Sequence, residues 1–360
     1  MHRVHSIDYL RGLMAIAVLI YHFMSWTIGV PDSSSILGRL GIYAVSIFYI
    51  ASGMSLFVAY QYSTWNAKDT LYFFAKRYLR LLPAFWVACT MVVLLLSVTS
   101  PTFVIPKEKL VLNYTLLFGF FAPGDYITAG GWSIGNEIVF YVFFPLVMIL
   151  PRFRPALIVL SLLISLFYYV YFSFYKLTLS DYLGNQWLAY IDPLNQAFLF
   201  FLGVGIAWAS TRYKASEDRN YLAILVISVF AFCLYPASGN QINIVYGTER
   251  LVFTGLCGLC CFAVFNTRFK FRPAIEKTLY IAGCVSYSLY MFHGVFADFT
   301  LQIIAPKIGI ETNREKLIIL LLFTLPVLMV FVYAFYRFVE TPFMNLGRSL
   351  KQGSVARVSA

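Results

Sequence analysis

The sequence predicts an all-α polytopic membrane protein, a bundle of about ten transmembrane helices. Three observations carry this expectation. Hydrophobic residues fill 60% of the 360 positions and charged residues only 12%, whereas a soluble domain is about a quarter charged. Mean hydropathy is +0.76. Apolar stretches near the ~20 residues that a helix needs to cross a bilayer recur along the whole length. A soluble fold is thereby excluded, and the open classes are transporter, channel and intramembrane enzyme.

Spans are expected at roughly 9–29, 38–60, 80–99, 132–150, 156–175, 194–210, 221–237, 249–265, 279–303 and 316–338, each close to the bilayer length. The first follows Arg3 and Arg11 as a secretory signal would, but no small-residue cleavage site closes it, so it reads as a retained span. The stretch 110–124, LVLNYTLLFGFFAPG, is short and interrupted by Gly and Pro, which suits a re-entrant or interfacial segment. Trp26, Trp132, Trp187 and many tyrosines stand near span ends, as an interfacial aromatic belt requires. Residues 1–342 read as one membrane domain and 343–360 as a short basic cytoplasmic tail of poor order. No second module is expected within this chain.

An even number of spans puts both termini on one side. Most basic residues fall there, among them Arg3, Arg11, Lys76, Arg77, Arg80 and Lys214. Arg39, Lys107, Lys109, Lys176, Arg250, Lys307, Arg314 and Lys316 fall opposite. The positive-inside rule makes both termini cytoplasmic. The net charge of +11 is spread over short loops rather than gathered on one face, so no nucleic-acid partner is expected. Cys89, Cys233, Cys257, Cys260, Cys261 and Cys284 all lie in apolar stretches, so neither a disulfide nor a metal site is expected.

Ionisable groups inside the spans carry the functional signal, because each costs on the order of 2.5–3.5 kcal/mol or more at the bilayer centre and usually faces a cavity or a partner. The first span holds Asp8, Arg11 and His22. At ~100° and ~1.5 Å per residue, Arg11 and His22 fall within about 20° of one face and ~16 Å apart along the axis. That is the order of the reach of an extended pantetheine arm, whose pyrophosphate takes a cation and whose thioester takes a general base. The pair also fits a topology anchor and a helix-packing hydrogen bond.

Arg77 and Arg80 share a helix face at a spacing of three and suit phosphate oxygens, or anchor the topology. In GWSIGNEIVFYVFFP, Glu137 lies one to two turns inside the fourth span, with Trp132 and Ser133 before it and Tyr141 after it. A helix-dipole role for Glu137 stabilises by only ~0.3–1 kcal/mol, less than its burial costs. SYSLYMFHG sets Ser286, Tyr290 and His293 on one face. Glu340 stands at a helix C-terminus, where the dipole disfavours it, and pairing with Arg337 or a neighbouring arginine is expected.

Taken in order, these blocks resemble the acyltransferase-3 family of membrane-bound acyltransferases along almost the entire length. The blocks are Asp8, Leu10, Arg11, Gly12 and His22; Ser52 and Gly53; Arg77, Arg80 and Pro83; Trp132, Ser133, Glu137, Tyr141 and Pro145; and Ser286, Tyr287, Tyr290 and His293, followed by Glu340 and Pro342. Tyr49, Ile50 and Ala51 depart from the Phe and Leu-Ser of many members. The resemblance implies transfer of an acyl group, acetyl by family weight, from cytoplasmic acyl-CoA to a carbohydrate hydroxyl, with acetyl-CoA a co-substrate and no permanently bound cofactor. It points to a bacterial cytoplasmic membrane and to a carbohydrate or glycolipid acceptor. Expected roles are Arg11, Arg77 and Arg80 on the donor phosphates and His22 as the base. Glu137 is expected to orient or charge-stabilise that imidazole, and His293 or Tyr290 to face the oxyanion. An acetyl-histidine relay is a variant. The rival class is a transporter of an anionic metabolite or glycolipid, since buried His, Glu and Arg also line transport paths, although no repeated halves are visible. A scaffold role leaves the buried charges without a purpose.

Overall fold

The computed structural model describes residues 5–100, 102–213 and 218–356. Arg3 and Lys214, two of the residues used to orient the spans, lie outside them. In chain order come α1 (His5–Ser25), α2 (Ile36–Tyr60), α3 (Ala67–Thr99), the short α4 (Lys107–Tyr114) and α5 (Phe118–Phe121), α6 (Gly131–Met148) and α7 (Arg154–Tyr171). Then follow α8 (Trp187–Tyr190), α9 (Pro193–Arg212), α10 (Asp218–Leu234), α11 (Ile242–Val245), α12 (Gly247–Asn266) and α13 (Pro273–Phe299). The last are α14 (Ala305–Lys307), α15 (Asn313–Ile319), α16 (Leu325–Phe335) and α17 (Thr341–Ala356). Wider π turns at Phe172–Lys176, Thr300–Ile304, Leu320–Thr324 and Tyr336–Glu340 continue several of these helices. Among the described residues nine helical runs are long and apolar enough to cross a membrane, and Asn220–Leu234 is a shorter apolar helix. The chain is an all-α polytopic membrane protein.

The chain divides into two compact units. The first holds α1, α2, α7 to α12 and the start of α13 through Ser286, and the second holds α3 to α6 and the chain from Tyr287 onward.

In the first unit the helices approach at glycines. A Cβ on Gly53 would lie 2.0 Å from the Phe200 carbonyl oxygen, and one on Gly203 would lie 2.0 Å from that of Ile50. Backbones in such contact tolerate no side chain, the usual device where apolar lipid gives no hydrophobic drive between helices. α1 meets α13 in the same way, with a Gly283 Cβ 2.4 Å from the Asp8 carbonyl. Between α1 and α2, the Ser35 hydroxyl caps α2 by accepting from Gly38 N at 2.9 Å. Asp32 accepts from Ser34 N at 2.7 Å and Gly239 N at 2.9 Å. Those two amides hold its carboxyl below the usual carboxylate range.

Arg39 and Arg250 correct the loop assignment used for topology, since both are only 2% exposed. Arg39 donates to the carbonyls of Phe232 at 2.6 Å, Cys233 at 2.8 Å and Tyr235 at 2.6 Å, the orphan acceptors at the end of α10. The Arg250 guanidinium sits 4.0 Å over the Tyr169 ring and donates to Ser173 Oγ at 3.2 Å. These two cations are internal clamps.

In the second unit α3 begins at Ala67, well before the expected start near 80, because Asn66 caps it by accepting from Asp69 N at 2.8 Å. Arg77 and Arg80 are therefore interior to a long helix. The 110–124 stretch forms α4 and α5, clamped to their neighbours. Trp86 Nε1 donates to Tyr114 O at 2.7 Å, Phe85 and Phe118 stack at 5.8 Å, and a Gly119 Cβ would meet Gly135 O of α6 at 2.2 Å. Asn113, wholly buried, donates to Asp125 O at 2.7 Å and accepts from Ile127 N at 3.0 Å, tying α4 to the loop before α6. Where poor order is expected after Pro342, α17 runs to Ala356 and packs on α3, with Tyr72 Oη donating to Arg348 O at 3.2 Å. Trp132, expected in the interfacial belt, is buried at 6% exposure, whereas Trp26 is 38% exposed.

The π turns pair with hydroxyls. Thr300 Oγ1 and Thr324 Oγ1, each inside such a turn, are 2.7 Å apart, and Thr341 Oγ1 donates back to Tyr336 O at 2.8 Å. A π turn skips the usual i−4 acceptor, and short hydroxyl side chains are well placed to serve the carbonyls it leaves.

Candidate active site

In the first unit α1 carries Asp8, Arg11 and His22 on one helix from His5 to Ser25, with no proline inside it. The axial separation expected for Arg11 and His22 therefore holds, at ~16 Å. Asp8 is buried and Arg11 half-buried. The half-buried His22 ring stacks on Trp26 at 4.9 Å with an interplanar angle of 18° and meets the edge of Tyr21 at 5.3 Å. Gly12 and Gly53, members of the sequence blocks, serve helix approach rather than chemistry: a Gly12 Cβ would lie 2.7 Å from the backbone of Ala282.

The second unit gathers most of the remaining candidates. Gly130, with φ of 76°, starts α6 in the left-handed region, and a Cβ there would also strike the Tyr290 ring at 2.7 Å. Tyr290 Oη donates to Gly130 O at 3.2 Å, while Ser133 Oγ lies 2.9 Å from that carbonyl and 3.0 Å from Tyr290 Oη. One turn along α13, the fully buried His293 places Nδ1 2.7 Å from Tyr290 O. A carbonyl only accepts, so Nδ1 carries a proton, and when the ring is neutral Nε2 keeps the lone pair. That tautomer suits a proton acceptor.

Glu137, half-buried, accepts from Tyr141 Oη at 2.7 Å. The Arg77 guanidinium lies 5.9 Å from the ring centres of both Tyr141 and Phe73, within cation–π reach of each. Glu340, in a π turn and 3% exposed, accepts a hydrogen bond from Ser288 Oγ and interacts electrostatically with Arg80. Arg80 is thus a neighbouring arginine whose charge bears on Glu340. Tyr287 Oη donates to Leu81 O at 2.7 Å and fixes α13 to α3 beside this pair.

Sequence reasoning missed Ser288, Gly130 and Asn136, the last wholly buried one residue before Glu137. Ser288 had a visible signal, a second serine two positions after Ser286, but helical phase put it on another face. Among the described residues no cluster of three His, Cys, Asp or Glu side chains is arranged to hold a metal ion.

Residues 4–343 match the family model described as an acyltransferase domain. The O-acetyltransferase OatA of Staphylococcus aureus (strain NCTC 8325 / PS 47) is 25% identical over 371 aligned residues, covering 95% of this chain and 57% of that protein. The peptidoglycan O-acetyltransferase OatA of Listeria monocytogenes serovar 1/2a is 26% identical, covering 96% of this chain and 56% of that protein. A putative acetyltransferase of Acidianus two-tailed virus, ORF330, is 24% identical, with 79% of this chain and 80% of that protein aligned. The chain thus spans little more than half the length of the two named bacterial relatives. No solved structure matches it. Matched almost from end to end, the chain belongs to the acyltransferase-3 family of membrane acyltransferases.

Proposed function

We propose that this protein is an O-acyltransferase that moves an acyl group, acetyl by preference, from cytoplasmic acyl-CoA to a hydroxyl of a cell-surface carbohydrate or its lipid-linked precursor. Its setting is a bacterial cytoplasmic membrane with both chain termini on the cytoplasmic side. The observation that carries this reading is the acyltransferase match over residues 4–343. Two relatives named O-acetyltransferases, one of them for peptidoglycan, support the acetyl group and a polysaccharide acceptor.

In this reading Arg11, Arg77 and Arg80 are donor-phosphate ligands, and His22 takes the acceptor hydroxyl proton as that oxygen attacks the thioester carbonyl. Collapse of the tetrahedral intermediate breaks the C–S bond, and the leaving CoA thiolate recovers the proton from the imidazolium. Asp8, Trp132, Ser133, Tyr141, Tyr290 and Glu340 are supporting residues in this reading, and Glu137 contributes a carboxylate. A second candidate base is His293, favoured by the Nδ1 bond to Tyr290 O that leaves Nε2 a proton acceptor.

The test is mass spectrometry of surface glycans from cells with and without the protein. The expected result is loss of one acyl mass per modified sugar when it is removed. Identical glycans together with altered export of an anionic metabolite would replace this reading by the transporter.

A further inference from the structure

We propose that the first unit holds an anionic phospholipid, its alkyl chain in an apolar groove among α1, α2, α10 and α12 and its phosphate on the basic turn between α12 and α13. The groove has a volume of about 410 Å³. α1 lines it between Ser6 and Met14, and α2 between Ile36 and Ile47. Tyr21, near the end of α1, lies against Gly41, near the start of α2, so the two helices run antiparallel and these stretches occupy successive depths. At ~1.5 Å per residue they cover about 28 Å together, close to the ~30 Å hydrocarbon thickness of a bilayer.

The lining is almost wholly apolar and favours an apolar occupant. Of its three hydroxyls, on Ser6, Tyr9 and Ser228, that of Tyr9 is directed to Glu276 Oε1 at 3.3 Å and that of Ser228 to the Leu225 carbonyl at 3.0 Å. Water in such a slot would lack the two to four polar partners it needs, whereas an alkyl chain needs none.

The mouth supplies the headgroup chemistry. After α12 the chain leaves the helix with Thr267 extended and reads Arg268, Phe269, Lys270, Phe271 and Arg272. Phe269 and Phe271 line the groove, their rings parallel within 4° and 5.5 Å apart, and Phe271 meets Tyr9 at 6.1 Å. The three basic residues that alternate with them are exposed. Two aromatic rings at the mouth of an alkyl slot, flanked by three cations, complement a phosphate carried on a hydrocarbon tail.

The test uses the purified full chain in phosphatidylcholine nanodiscs doped with phosphatidylglycerol bearing a photoactivatable group at its tail end, with crosslinks mapped by peptide mass spectrometry. The expected crosslinks concentrate on groove residues such as Met14, Leu256 and Cys260 over the lipid-exposed Leu163 and Phe167 of α7. Replacing Arg268, Lys270 and Arg272 together by Gln, all at exposed positions, should lower groove labelling about tenfold or more. Cys260→Trp, which fills the slot, should abolish it in protein that retains its size-exclusion profile. Three results overturn the proposal: labelling no denser in the groove than on α7, equal groove labelling by a phosphatidylcholine tail probe, or displacement of the probe by a polyprenyl phosphate but not by excess unlabelled phosphatidylglycerol. The last would assign the groove to a carrier lipid.

Discussion

Replacing His22 by Ala separates chemistry from packing. Among its contacts, the imidazole stacks on Trp26 at 4.9 Å and meets the edge of Tyr21 at 5.3 Å. Aromatic pairs of this kind stabilise by about 0.5–1.5 kcal/mol each, so loss of these two lowers stability by about 1–3 kcal/mol and reduces the amount of folded protein. Loss of a general base acts elsewhere: a factor of at least ~100, equivalent to ~2.7 kcal/mol of barrier, is expected in transfer per folded molecule. The assay is acetyl transfer per mole of monodisperse, detergent-purified protein, with acetyl-CoA binding measured in parallel. Nearly unchanged donor binding with transfer reduced a hundredfold is the expected outcome. A variant that folds poorly yet transfers at the wild-type rate per folded molecule would refute the role of His22, and His293→Ala would then be the next substitution to make.

Arg77→Ala or Arg80→Ala should weaken acyl-CoA binding about ten- to hundredfold, as loss of a charged hydrogen-bond partner costs ~1.5–3 kcal/mol, and Lys should restore only part; calorimetry showing wild-type affinity in the double variant would make both residues topology anchors. Asp32→Asn should lower the thermal midpoint at neutral pH. Because the folded carboxyl titrates below its ordinary range, its contribution is complete above about pH 4 and lost as pH falls through the folded value, so wild type and variant should converge in acid. Gly53→Ala forces a methyl against the Phe200 carbonyl and should cost about 1–3 kcal/mol, read as a lower unfolding midpoint in detergent. In intact cells an impermeant thiol reagent should label a cysteine at Ser180 and spare one at Ser349, and the reverse pattern would invert the orientation.

The apolar spans were legible because length and hydropathy alone select them. Elements defined by distant partners were not. Arg39 and Arg250 look like loop cations until the carbonyls at the end of α10 and the Tyr169 ring are brought to them, which no local pattern announces. The start of α3 escaped a hydropathy reading because its first turns, with Lys68 and Asp69, are polar. Asn66 nonetheless stood there as a cap. Among the candidate residues, the spacing within α1 follows from a regular helix, while which neighbouring arginine bears on Glu340 depends on α3, far away in sequence, and so is left open by the sequence.

Those wide turns also bear on how related chains are to be aligned. An insertion inside a membrane-spanning helix rotates every later side chain by about 100° and would normally turn an apolar face inward. A π turn absorbs one extra residue locally, so the helix regains its phase beyond it. At Thr300–Ile304, Leu320–Thr324 and Tyr336–Glu340 a homologue lacking one residue can keep the same faces by closing the turn to ordinary α geometry. Single-residue gaps placed there are structurally sound, and forcing an ungapped register across them would pair Glu340 with the wrong position.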